Sequence, residues 1–249
     1  MIKPLIPIKQ EGLDDIAKGL LETTRYNIPT PTVRARVNKS DYIVVPNTNI
    51  IISKEEIHRG LDWNNTHYAL ADNGLYMPSP SLFVNYFKSV LEAKKGNLVL
   101  SYADNTTLSI GEVDDLYKYL TTNHRNGCWT WLGAKFDAGS GHKSLDIETD
   151  YKVVKIGSDK KLEGKRSPLE VCVSDNGFVD LNFNRQGLPT GKTKSQKYSQ
   201  GNNIYFYSPV NDRVARFESD SGWADLSCGG DPAGSDAGLG VFACADFEA

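Results

Sequence analysis

The hydrophobic period of this chain changes at Gly127, and that change bounds the folds open to it. Before it, Phe83, Phe87, Val90 and Leu91 recur at i, i+4, i+7 and i+8, and Val113, Leu116, Tyr117 and Leu120 line a second helical face. After it, "CWTWLGAKFD" alternates, with Trp129 and Trp131 on one strand face, and the segments that follow are short, rich in β-branched and aromatic residues, and separated by turn residues. Helices followed by a run of strands define an α+β protein.

Local chemistry marks the helix ends. Ser79 and Pro80 fit the N-cap and first-turn positions of a helix over 80–95, closed by Gly96. Ser109 with Glu112 forms a capping box for the second helix, which stops at "NHRNG". The same spacing of Ser53 and Glu56 predicts a brief helix through "KEEIHRG". Further upstream, Leu13, Ile16, Ala17, Leu20 and Leu21 share one face of a short amphipathic helix, and "VRARV" and "DYIVVPNTNIII" read as strands or a hairpin. Beyond Gly127 the strand candidates are "SLDIETDYKVVKIG", "PLEVCVS", "FVDLNF" and "NIYFYSP", with Asn176-Gly177 as a hairpin turn. "SDKKLEGKRS" and "NRQGLPTGKTKSQKYSQGNN" read as long solvated loops.

With 39% hydrophobic residues in 249, a sizeable core is expected, and a net charge of −3 gives no general attraction to nucleic acid or anionic membrane. The basic loops lack interleaved aromatics, which argues against a nucleic-acid partner. No apolar run of 18 residues and no apolar leader segment occurs, so a soluble chain without membrane insertion is expected, with its cellular address open.

Motifs that carry chemistry fail on spacing. "GLPTGKT" leaves three residues between Gly187 and Gly191 where a phosphate loop needs four. "GSGHKS" is not a nucleophile elbow, and the four histidines stand apart from one another and from cysteine. The carboxylates of "GGDPAGSDAG" lack the ligand spacing of a calcium loop. Cys128, Cys172, Cys228 and Cys244 form no CxxC and read as buried thiols, although Cys228 and Cys244 would meet if their strands were neighbours. No cofactor is expected.

The C-terminal stretch divides by alternation. In "WADLSCGG", Ala224, Leu226 and Cys228 point one way and Trp223, Asp225, Ser227 and Gly229 the other, which predicts a core face and a display face. "GDPAGSDAG" is a loop by composition, and "LGVFACA" returns as a strand. Small polar residues around one large aromatic, Trp223, match the composition of adaptable binding loops.

"RVARFESDSGWADLSCGGDPAGSDAGLGVFACA" resembles the variable region of archaeal, nanoarchaeal-type diversity-generating retroelement target proteins, and "NGLYMPSPSLFVNYFKSV" and "CWTWLGAKFD" are similar to the helical and strand portions of that family. In such systems a reverse transcriptase copies a template with errors at adenines and rewrites the end of the target gene. The resemblance implies a C-type lectin-like fold over 65–249, with two helices and a short-stranded antiparallel sheet, preceded by a small N-terminal lobe over 1–64. It implies scaffold roles for Val214, Ala215, Phe217, Ser221, Ala224, Leu226, Cys228, Pro232, Leu239, Gly240 and Val241. It implies variable, ligand-facing roles for Arg216, Asp220, Gly222, Trp223, Asp225, Ser227, Gly229, Gly230, Asp231, Ala233, Gly234, Asp236, Ala237 and Phe242. The expected function is non-enzymatic binding of a protein or surface glycan. Two other readings stay open: a fixed calcium-dependent lectin, and an enzyme on a related formylglycine-generating scaffold that would use Cys228 and Cys244.

Overall fold

The computed structural model describes residues 35, 37–122, 127–156, 159–219 and 222–247. The chain divides into two units, Met1–Thr32 and Val33–Ala249, and the described residues belong to the second. The helix expected over 13–21 lies outside them. The boundary expected at residue 64 falls inside the second unit, where the strand Ile50–Ile57 pairs with the C-terminal strand Val241–Asp246.

The first described strands are β1 (Tyr42–Val44) and β2 (Ile50–Ile57). Three helices follow among the described residues: α1 (Trp63–Ala71), α2 (Pro80–Lys94) and α3 (Ile110–Thr121). Then come β3 (Trp129–Ala138), β4 (Leu145–Ile156), β5 (Asp159–Pro168), β6 (Gly177–Asp180), β7 (Asn203–Tyr207), β8 (Arg213–Glu218), β9 (Asp225–Gly230) and β10 (Val241–Asp246). They form a three-stranded sheet ordered β1-β2-β10 and a seven-stranded sheet ordered β5-β4-β3-β8-β9-β7-β6. All strand pairs are antiparallel except β7 with β9, which run parallel, so the larger sheet is mixed rather than purely antiparallel.

Both expected helix caps form. The Ser79 hydroxyl accepts from the Leu82 amide at 3.3 Å, while Ser109 accepts from the Glu112 amide at 3.3 Å and its own amide donates back to the Glu112 carboxylate at 2.9 Å. Each such cap satisfies amides that the helix start leaves without partners. The Ser53–Glu56 pair does not cap a helix: β2 continues through it, with Ile52 opposite Cys244 and Glu56 opposite Phe242. Three successive isoleucines, 50–52, favour an extended backbone paired to a neighbour, and that pairing overrides the local signal. The Ser53 hydroxyl instead accepts from the Ala243 amide at 2.9 Å.

Three other expectations change. "SDKKLEGKRS" is mostly strand β5, a charged outer strand paired to β4; its three lysines, Arg166 and Glu163 protect a sheet edge from further pairing rather than marking a loop. "PLEVCVS" is irregular beyond Pro168. Asn176-Gly177 opens no hairpin with it, since β6 pairs with β7 and the Asn176 amide oxygen accepts from the Ser208 amide at 2.9 Å. Helix α1, unmarked by strong periodicity, begins where Asp62 accepts from the Asn65 amide at 2.8 Å.

The core fills the space between the helices and both sheets. Phe83 and Phe87 of α2 meet Phe217 of β8 at ring separations of 4.9 and 5.3 Å. A second cluster joins Trp63 and Leu70 of α1 to Trp131, Val214, Leu239 and Val241. Ala215, Phe217, Ala224, Leu226, Cys228 and Val241 are all buried, as expected of scaffold positions; Pro232 is half-buried and Ser221 lies outside the described residues.

Candidate functional site

The outward face of the larger sheet is set by strand register. Across β8 and β9, Arg216 pairs with Ser227 and Glu218 with Asp225. Parallel pairing then places Tyr207 beside Ser227 and Tyr205 beside Asp225, and β6 adds Phe178 beside Tyr205. On the other side, β3 sets Trp129 opposite Glu218 and Trp131 opposite Arg216. Directly paired residues share a sheet face, so polar side chains occupy the middle of this one and aromatic side chains its two sides.

The centre is a depression of about 420 Å³. Four expected residues line it, Arg216, Asp225, Ser227 and Gly229, together with Glu218. The rest of the lining, Asn176, Tyr207, Ser208 and Val210, comes from outside the C-terminal stretch. Asp225 and Ser227 are 2% and 4% exposed, so they form a floor and not the projecting display that alternation predicts. The reason is the crossover that brings the tyrosines of β7 alongside β9. Arg216 forms an ion pair with Glu218, and its guanidinium lies 5.9 Å from the centre of the Trp129 ring. That pairing offsets the repulsion between two carboxylates, Glu218 and Asp225, set opposite each other on adjacent strands. Burial, then the nearby Asp225 carboxylate, push the Tyr207 phenol up from its ordinary value.

Trp223 is not a free-standing anchor. Its ring stacks 5.5 Å from Tyr205 at 32° and meets Phe178 edge-on at 5.9 Å. With Tyr205 and Tyr207 4.9 Å apart, these rings form one aromatic ridge along the depression.

Residues 231–240 run past Trp129 and Trp131. Asp231 and Asp236 accept from the amides of Ala233 and Gly238 at 3.1 and 3.0 Å, and Asp231 also pairs with Arg213 at 3.7 Å. Ala233, Asp236 and Ala237 are exposed and Gly234 is half-buried, so this loop presents expected positions to solvent. Asp220 lies outside the described residues.

Three expected ligand-facing residues do not fit that role. Phe242 is 0% exposed, packed among Phe83, Tyr86 and Tyr119, because β10 is covered on both faces. Gly230 is buried: a Cβ there would stand 2.9 Å from the Val214 carbonyl and 3.4 Å from the Trp131 ring. Gly222 has φ 102°, a backbone conformation that strains any residue with a side chain. Gly229 is the contrast, with nothing within 4 Å of an added Cβ. Gly229→Ser is therefore expected to leave stability within about 0.5 kcal/mol, while Gly230→Ser loses about 1–3 kcal/mol through overpacking. Urea unfolding of the two variants checks this, and equal stabilities would refute the assignment.

A larger depression of about 870 Å³ opens between β2 and α3. On its floor the Glu56 carboxylate accepts from Tyr119 at 2.6 Å, Arg59 at 2.7 Å and the Trp129 amide at 2.9 Å. Arg59 also donates to the Gly238 carbonyl at 2.7 Å. Burial pushes the Glu56 carboxyl up, and these partners act against that shift. The network joins β2, α3 and β3 to the 231–240 loop.

Cys228 and Cys244 are free, buried and carried by different sheets, so the pairing their sequence positions allowed does not arise; burial pushes both thiols up. Among the described residues no group of three or more His, Cys, Asp or Glu could hold a metal ion. No helix among them is long and apolar enough to cross a membrane.

Sequence reading missed Tyr205, Tyr207 and Phe178. Alternation in "NIYFYSP" already sets Tyr205 and Tyr207 on one face and Ile204 and Phe206 on the other, but nothing local to β7 names β9 as its parallel neighbour. Fold and site together define a mixed α+β protein with three described helices, a large sheet and a concave aromatic and polar face. Comparison with protein-family models, curated proteins and solved structures finds no match to the chain.

Proposed function

We propose that the protein is a non-enzymatic binding protein on a C-type lectin-like scaffold, whose outward β8–β9 face and following loop are rewritten by a diversity-generating retroelement. One observation carries the reading. Arg216, Asp225, Ser227 and Gly229 line a single depression, Asp225 and Ser227 as its buried floor, while Ala215, Phe217, Leu226 and Cys228, interleaved with them, pack into the apolar core on the other face. Substitutions on the first set change the lining of the depression, whereas truncations in the second open cavities in the core. Pairing of the early strand β2 with the C-terminal strand β10, beside two capped helices, is consistent with the proposed scaffold. The rewritten positions are then Arg216, Trp223, Asp225, Ser227, Gly229, Asp231, Ala233, Gly234, Asp236 and Ala237.

Long-read sequencing of source populations tests this. Substitutions should concentrate at those codons, at adenines of a near-identical template copy close to a reverse transcriptase gene, and spare Leu226, Cys228, Gly230 and Phe242. Invariance of the segment, or variation spread evenly over inward and outward codons, sinks the proposal.

A further inference from the structure

We propose that the depression takes a saccharide, with one pyranose ring seated against Tyr207 and its hydroxyls bonded by Arg216, Asp225, Ser227 and Asn176. The inference deepens the binding role proposed above and rests on it.

The two halves of the site differ in origin and in chemistry. Tyr205, Tyr207 and Phe178 lie outside the C-terminal stretch and pack with Trp223 into a ridge, from which Tyr207 stands 37% exposed. An aromatic face is the surface against which the C–H face of a sugar ring packs. The same depression is lined by planar hydrogen-bonding groups: the Arg216 guanidinium, the Asp225 carboxylate, and the Asn176 amide, whose oxygen is engaged by Ser208 while its NH2 group remains a donor. A carboxylate is an acceptor with about four lone-pair sites, the complement of a sugar hydroxyl that donates.

Charge narrows the ligand further. One guanidinium and two carboxylates, Arg216, Glu218 and Asp225, line the depression, which disfavours an anion. A cation would share the cavity with the Arg216 guanidinium, already paired to Glu218. An apolar ligand would bury this polar floor without partners. A neutral polyhydroxylated ring meets all three conditions, because a hydroxyl donates to a carboxylate and accepts from a guanidinium. The volume, about 420 Å³, suits a small ligand.

The experiment is saturation-transfer NMR of the full chain, in a buffer containing a calcium chelator, with methyl glycosides of neutral hexoses and N-acetylhexosamines. A uronic acid glycoside and a lysine-rich peptide serve as comparisons. Transfer to neutral glycosides is expected. Tyr207→Ala should weaken it at least about tenfold, Tyr207→Phe should keep it within about threefold, and Arg216→Ala should change which glycoside is preferred. Absence of transfer to every glycoside, transfer that survives Tyr207→Ala, or binding of the peptide alone overturns the inference. Population sequencing addresses diversification separately: a saccharide bound by an invariant segment would refute the retroelement and leave this site standing.

Discussion

Phe242→Ala is expected to destabilise the fold by about 3–5 kcal/mol, the range for deleting a buried phenylalanine. Phe242 lies 5.9 Å from the rings of both Phe83 and Tyr86 and 6.4 Å from Tyr119, so truncation removes contacts to two helices at once. Its amide, which donates to the Thr130 hydroxyl at 3.2 Å, would stay in place, leaving a cavity rather than a collapsed strand. Ala233→Ser, on the exposed loop, should stay within about 0.5 kcal/mol of the parent chain. Urea midpoints separate the two cases. A loss below about 1 kcal/mol for Phe242→Ala would return that residue to the outward face.

The second large effect is loss of stability in mild acid through His67. The imidazole is 5% exposed, with the rings of Trp63 and Tyr151 at 4.4 and 5.0 Å, and burial lowers its pKa from 6.5 to about 3. The unfolded chain binds a proton near pH 6.5 while the native state does not. The stabilising contribution is therefore complete above that value and lost as pH falls toward 3, at roughly 1.4 kcal/mol per pH unit. Two carboxylates are shifted as well. Glu112, held down to about 2 chiefly by its hydrogen bond from Tyr102, adds acid sensitivity only below its ordinary 4.5. Glu56, raised by burial, has the opposite sign: its contribution falls as pH rises from 4.5 through its folded value. Comparing the parent with His67→Gln between pH 7 and 5 isolates the imidazole from Glu112. The parent should lose stability over that interval and the variant should lose much less; parallel curves would show that His67 is not the group responsible.

Much of the helical half is legible locally because a cap is a contact within one turn. Ser79 and Ser109 make theirs within three residues, so their spacing is nearly the whole of the physics. Ser53 and Glu56 have the same spacing, yet β10 lies alongside β2, and pairing with a strand nearly 190 residues later leaves no local mark. Alternation correctly separates Asp225 and Ser227 from Leu226 and Cys228, because β9 has chemically different faces. It fails for Phe242, since β10 is buried on both faces and "VFACA" has no polar side to betray its orientation. The floor-like burial of Asp225 follows from β7, whose parallel crossover is a property of topology that no window around residue 225 contains.

Strand β10 begins after the 231–240 loop and is bonded on both edges, to β2 on one and to Tyr76 on the other, where backbone bonds of 3.0 and 2.8 Å link Tyr76 and Cys244. The inaccurate copying proposed above would risk insertions and deletions as well as substitutions. Any shift of reading frame upstream of Val241 would replace β10, open the three-stranded sheet and expose Ile52, Phe83 and Tyr86 to water. Under the rewriting proposed above, a closing strand downstream of the altered codons would make completion of the fold a checksum on the message.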